Sequence, residues 1–204
     1  SDSKVNENNF SAFAAYGFSI PKFGSVSAGL RYEHVGFDYM DLLDDENSMK
    51  RYQDEFFPSI SWSGQFGPVH ASLAYSLRTS RPGYDFLSDR IKYINSFTLM
   101  QGDPKLKNER KQEVGMNARY RWLTLSVSYE RIDNALTQMF NIYGKDNMLL
   151  VKRSNIPDPV RNLIIFLSAN PTWGVYSPGW SAGMQKPWTH IEFDDPRAES
   201  GKVN

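Results

Sequence analysis

The sequence contains no cysteine, which excludes a disulfide framework, thiolate metal sites and a cysteine nucleophile together. It has no charge of either sign to spare. Lys plus Arg and Asp plus Glu number 23 each, so there is neither a basic field for nucleic acid nor the acidic excess of a disordered chain. Long hydrophobic runs are missing too: no apolar run exceeds the five residues Leu163–Leu167, where a spanning helix needs about twenty. Any passage through a membrane must therefore be made by strands. The first residues, Ser1 to Asn8, lack the charged, apolar and small-residue succession of an export signal.

Histidine is scarce, and His34, His70 and His190 stand on different segments without ligand-like spacing. The acidic cluster Asp41, Asp44, Asp45 and Glu46 has calcium-binding side chains but neither the alternate spacing nor the turn glycine of a calcium loop. No Gly-x-Ser-x-Gly, Walker-type or His-Glu-x-x-His pattern occurs. The expectation is a chain that is not an enzyme and carries no cofactor or metal.

What is present is alternation. Val69–Arg78 places Val69, Ala71, Leu73, Tyr75 and Leu77 against His70, Ser72, Ala74, Ser76 and Arg78, a period of two that gives a strand one apolar and one polar face. The same pattern recurs over Phe10–Ile20, Ser25–Phe37 with a slip near His34, Phe57–Phe66, Glu113–Tyr120 and Leu123–Tyr129. The last of these is expected to run on past Arg131 into Gln138–Tyr143, to turn at Gly144–Asn147 and to return over Met148–Arg153. Asn155-Ile156-Pro157-Asp158-Pro159 interrupts the ladder. Val160–Ala169 and a weaker Trp180–Phe193 complete about eight main strands, and residues 194–204 read as a tail.

Connections alternate in length. Short turns fall at residues 21–24, 65–68, 121–122 and 171–179, and long loops at 38–54, 79–110 and 132–159. In an antiparallel meander this gathers the short turns at one end and the long loops at the other, the asymmetry of outer-membrane barrels and not of sandwiches. The polar faces point the same way. Ser27-Gly29-Arg31-Glu33 and Gly115-Asn117-Arg119 are small and charged by turns, as suits a crowded wet lumen. The fold class expected is all-β, an antiparallel up-and-down β-barrel segment, with residues 1–204 as one domain. Aromatic residues make up 14% of the chain, and Trp122, Trp173 and Trp180 sit at short turns, where a membrane interface would hold indoles.

The run Ser80-Arg81-Pro82-Gly83-Tyr84-Asp85-Phe86-Leu87, then Gln101-Gly102-Asp103-Pro104-Lys105-Leu106-Lys107 and Trp122-Leu123-Thr124-Leu125, resembles the barrel of TonB-dependent outer-membrane receptors of the Bacteroidetes-type outer-membrane β-barrel family. That family carries an Arg-Pro-x-Tyr strand end, a Gly-Asn-Pro-x-Leu-Lys-Pro-Glu loop end and a Trp-Leu-x-Leu hairpin in this order. Asp103 replaces the usual Asn and Asn108 the usual Pro; turn chemistry tolerates the first change. The resemblance implies a fragment of a larger barrel in the outer membrane. Its partners would be lipid, a nutrient, and in the full receptor a plug domain and the TonB energy-coupling system. Neither a plug nor a terminal aromatic strand is legible in these residues.

Stacking rings beside charges suit the capture of polar nutrients, so the central loop supplies the candidate ligand-binding residues Arg81, Tyr84, Phe86, Arg90 and Tyr93. Packing of the loop upon itself is the competing explanation of the same rings. Two other architectures stay open. A self-contained small barrel with a structural or adhesive role requires the Phe10 strand to pair with the Trp180 strand. A soluble ligand-binding barrel requires Leu30, Leu73 and Leu125 to point inward.

Overall fold

A computed structural model describes residues 3–41, 49–87, 91–144 and 148–189. Period-two alternation becomes strand almost wherever it occurs. In chain order the elements are β1 (Ser3–Ile20), β2 (Gly24–Asp41), β3 (Met49–Phe66), β4 (Val69–Ser80), a four-residue helical turn α1 (Tyr84–Leu87), β5 (Ile91–Asn95) and β6 (Thr98–Gln101). They continue as β7 (Glu109–Tyr120), β8 (Leu123–Asp133), β9 (Leu136–Tyr143), β10 (Met148–Asn155), β11 (Val160–Ala169) and β12 (Trp180–Trp188). Among the described residues, no helix is long and apolar enough to cross a membrane.

Eight strands form one sheet in the order β1-β2-β3-β4-β7-β8-β11-β12. This is the expected meander, with β1 and β12 at its two ends. The remaining four form a second sheet, β5-β6-β10-β9, of which the sequence pattern predicts only the β9–β10 hairpin. The chain divides into two compact units. One comprises Ser1–Arg78, Gln112–Ser128 and Ile164–Met184; the other comprises Thr79–Lys111, Tyr129–Leu163 and Gln185–Asn204.

In the first unit the register of β1 to β4 sorts the side chains. Phe18, Val26, Trp62 and Leu73 lie in one cross-strand row, and Tyr16, Ala28, Ile60 and Tyr75 in the next, all on one face. The opposite face carries Ser19, Ser25, Ser63 and Ser72, then Gly17, Ser27, Ser61 and Ala74. Burial runs against the pattern of a water-soluble protein. The apolar face is open, with Tyr16 73% and Phe56 57% exposed, whereas Phe57 and Val35 on the polar face are 4% and 7% exposed. Large apolar groups left in contact with the surroundings over a whole sheet face are tolerable when those surroundings are hydrocarbon.

The band has two rims. At the short-turn rim the Trp62 indole donates to the Phe23 carbonyl at 3.1 Å and packs between Phe23 and Phe66, with ring centroids 5.6 and 6.0 Å away. Trp173 packs with Tyr176 and Trp180 in the same unit. At the other rim polarity returns on the outward face. The Tyr32 hydroxyl donates to Asp54 Oδ1 at 2.6 Å, His34 Nδ1 donates to the same oxygen at 2.7 Å, and His34 stacks on Tyr52. Ten residue steps separate Phe56 from Phe66 on β3. At about 3.3 Å per residue and a tilt near 40°, that spacing covers about 25 Å along the membrane normal, the height of an outer-membrane apolar band.

Several expected boundaries move. β2 runs to Asp41 and β3 begins at Met49, so much of the loop placed at 38–54 is strand; β1 likewise starts at Ser3 instead of Phe10. These extensions carry polar residues on both faces, a composition that reads as loop. The strand expected to continue from Leu123 through Arg131 into Gln138–Tyr143 is broken. β8 stops at Asp133, Asn134 adopts φ 56°, and β9 belongs to the second sheet. The hairpin at Gly144 is present, since Met148 pairs with Tyr143 and Gly144 has φ 72°. Residues 145–147 of that turn lie outside the described residues, as do Asp44, Asp45, Glu46 and the 190–193 end of the expected last strand.

Candidate functional site

The second unit contains most of what the sequence assigns to the long loops at 79–110 and 132–159. It has its own small core, in which Leu106 is 2% exposed and Leu99, Ala135, Leu150 and Ile156 are also buried. Side-chain hydrogen bonds add to this burial. Asn155 supplies the tie. Its Oδ1 accepts from Lys107 N at 2.8 Å, and its Nδ2 donates to the carbonyls of Lys107 at 3.1 Å and Asn134 at 2.8 Å. Ile156 N donates to Ala135 O, and the Asn134 side chain donates to Asn108 O. Three segments distant in sequence are thereby joined at one amide, with Glu109 Oε2 accepting from Leu136 N beside it.

The same unit holds the four-stranded sheet, whose strand β10 ends at Asn155. β6 pairs parallel with β10, Leu150 opposite Leu99, and β9 pairs antiparallel with β10, Phe140 opposite Val151. The 84–87 turn is held by Asp103 N donating to Phe86 O at 2.7 Å, and Asp103 Oδ1 caps its own turn by accepting from Lys105 N. Phe86 lies under the guanidinium of Arg153, 4.4 Å from carbon to ring centroid, a cation–π contact.

The sequence candidates are not gathered into one cluster. Arg81 is half-buried at the end of β4, and Phe86 meets Arg153. Tyr93 pairs with Leu99, on the opposite face of the sheet from Arg153, where its hydroxyl donates to Ser96 Oγ at 3.4 Å. Arg90 and the Tyr84 side chain lie outside the described residues. Sequence reasoning missed Arg153 and Asn155. Arg153 sits in an ordinary strand pattern, and Asn155 opens a Pro-rich interruption, so neither carried a local signal. His34 and His70 lie on opposite faces of the first sheet, and His190 is outside the described residues.

A family model described as outer membrane protein beta-barrel family matches residues 1–175. The chain belongs to that family. Its sheet with the apolar face outward is accordingly the wall of an outer-membrane barrel, and its location is the outer membrane. Two solved structures share the fold of this family member. The copper transporter OprC aligns at TM-score 0.60 with 13% identity, covering 88% of this chain and 30% of its own. The siderophore receptor PirA from Pseudomonas aeruginosa aligns at 0.51 with 11% identity, covering 90% and 43%. The chain thus spans less than half the length of either. A comparison with curated proteins returns no match.

Proposed function

We propose that this chain is part of the transmembrane barrel of a TonB-dependent receptor that imports a bulky nutrient across the outer membrane. The observation that carries the proposal is the ordered sheet β5-β6-β10-β9, built from two long connections between strands of a membrane wall. A structural barrel has no need to organise its loops into a packed layer with its own core, whereas a receptor needs a rigid surface to recognise solute. Arg81, Tyr84, Phe86, Arg90 and Tyr93 are proposed to contribute to capture. In the full receptor a plug would close the lumen and the TonB system would supply the energy to open it. The alternatives fare less well. A self-contained barrel needs β1 to pair with β12, yet they stand at opposite ends of the sheet order. A soluble barrel needs its leucines inward, yet Leu30 and Leu73 are about half exposed on the open apolar face and Leu125 is half-buried.

The test is genetic. A host strain is grown on single nutrient sources to find the one whose use requires the receptor gene. Replacing residues 84–101 and 136–155 by short turns then abolishes growth on that source, as does loss of TonB, while the barrel still shows heat-modifiable migration on gels. Normal growth of the loop-deleted strain would overturn the reading.

A further inference from the structure

The two faces of the second sheet differ in character. One buries Leu99 and Leu150. On the other the register aligns Met100, Val151 and Phe140 in one row and Leu149 and Ile142 in the next. Phe140 and Ile142 are 61% and 62% exposed. At one end of this strip Arg153 stands opposite Gln138. Arg153 Nε is shielded from solvent, and among the described residues no hydrogen-bond acceptor meets it, while the guanidinium lies over the Phe86 ring. The four strands contain no Asp or Glu, and Lys92, opposite Met100, shares this face with Arg153, whereas Lys152 lies on the other.

A half-buried guanidinium offers several donors in a fixed fork, and shielding one of them, Nε, from water without an acceptor is unfavourable. The Phe86 ring packs against the Arg153 guanidinium, whose terminal nitrogens, unlike Nε, are not among the shielded, unpartnered atoms. We propose that this face captures a small organic acid. Arg153 takes the carboxylate through paired hydrogen bonds, Gln138 donates alongside, and the apolar body of the acid lies along Val151, Phe140 and Ile142. The proposal rests on the receptor reading above and gives it a solute class: acidic at one end and apolar along its length.

The experiment uses the full chain in dodecyl maltoside, with 2-naphthoate as probe and 2-naphthalenemethanol as its neutral counterpart, each titrated by calorimetry. The acid binds about ten- to a hundredfold more tightly than the alcohol, the range of a hydrogen-bonded charge pair. Arg153→Gln lowers the acid to the affinity of the alcohol and leaves the alcohol unchanged; Arg153→Lys, which keeps the charge but loses the fork, falls between; Phe140→Ser weakens both probes. Circular dichroism and heat-modifiable migration confirm that each variant is folded. Equal binding of acid and alcohol, no binding of either, or a preference that survives Arg153→Gln overturns the proposal. If loop deletion leaves nutrient growth intact while the naphthoate preference persists, the receptor reading fails and the acid site stands. Growth that needs the loops, combined with no preference for the acid, removes the acid site alone.

Discussion

Asn155 shows how much one side chain can decide. Replacing it with Ala leaves Lys107 N, Lys107 O and Asn134 O without their partner; water can reach the exposed Lys107 groups, so the loss is about 1 kcal/mol, most of it from the part-buried Asn134 carbonyl. The expected result for Asn155→Ala is faster amide exchange at Lys107 and Ile156 with unchanged exchange in β1 to β4. Gly24 offers a contrast at the first turn. It has φ 111°, and a Cβ there would meet the Ser63 carbonyl, so Gly24→Ala should cost about 2–3 kcal/mol through backbone strain and overpacking together. Gly67 has φ 58° but open space around it, and the same change there should cost about 1 kcal/mol. Urea midpoints for refolding into micelles would compare the two. The turn glycines were legible in the sequence because a turn needs them locally. Asn155 and Arg153 were not, since their roles depend on partners far along the chain.

At the scale of the element, β3 makes the two faces testable on neighbouring residues. Ile60 lies mid-band on the open apolar face, and Ser61 beside it faces the other way among Ser27 and Ala74. Ile60→Arg should destabilise insertion into lipid vesicles by about 2–4 kcal/mol, the cost of a cation at the midplane of a barrel wall. Ser61→Arg should cost far less, because its neighbours are small and the face is polar; similar losses at both positions would reverse the assignment of lipid face and lumen. Alternation revealed these strands in the sequence but could not say which face met lipid. Burial decided that, with Phe57 and Val35 hidden on the polar face. Alternation also ended too early in β1 to β3, where strands of 18 residues are longer than the 9–11 residues that cross a bilayer. Beyond the lipid no face needs to be apolar, so the periodic signal fades while the hydrogen-bonded ladder continues.

For the whole molecule, meander order and the sorting of short turns from long connections were both readable from spacing, because each depends on neighbours in sequence. Of the second sheet only the β9–β10 hairpin was. Its strands β5 and β6 are 5 and 4 residues long, too short for a periodic pattern to stand out, and parallel pairing leaves no turn signature. A wall with its apolar face open and β1 and β12 unpaired with each other should not persist as a monomer in water. Sedimentation is expected to find a monomer in dodecyl maltoside and large associated species once the detergent is withdrawn.

The pairing of β6 with β10 also has a consequence in time. Adjacent wall strands meet either across short turns, as Ile20 meets Gly24, or across the connections that join β4 to β7 and β8 to β11. Each of these is shorter than the chain between β6 and β10, so the wall closes at lower entropic cost. Leu149 meets Thr98 some fifty residues away, a closure that must wait until both ends have arrived and that slows with contact separation. A newly inserted chain should therefore have a finished wall before it has a finished receptor surface. During that interval its loops stay open to proteases, and pulse-labelled protein should gain protection in the wall first and in residues 91–101 and 136–155 only afterwards.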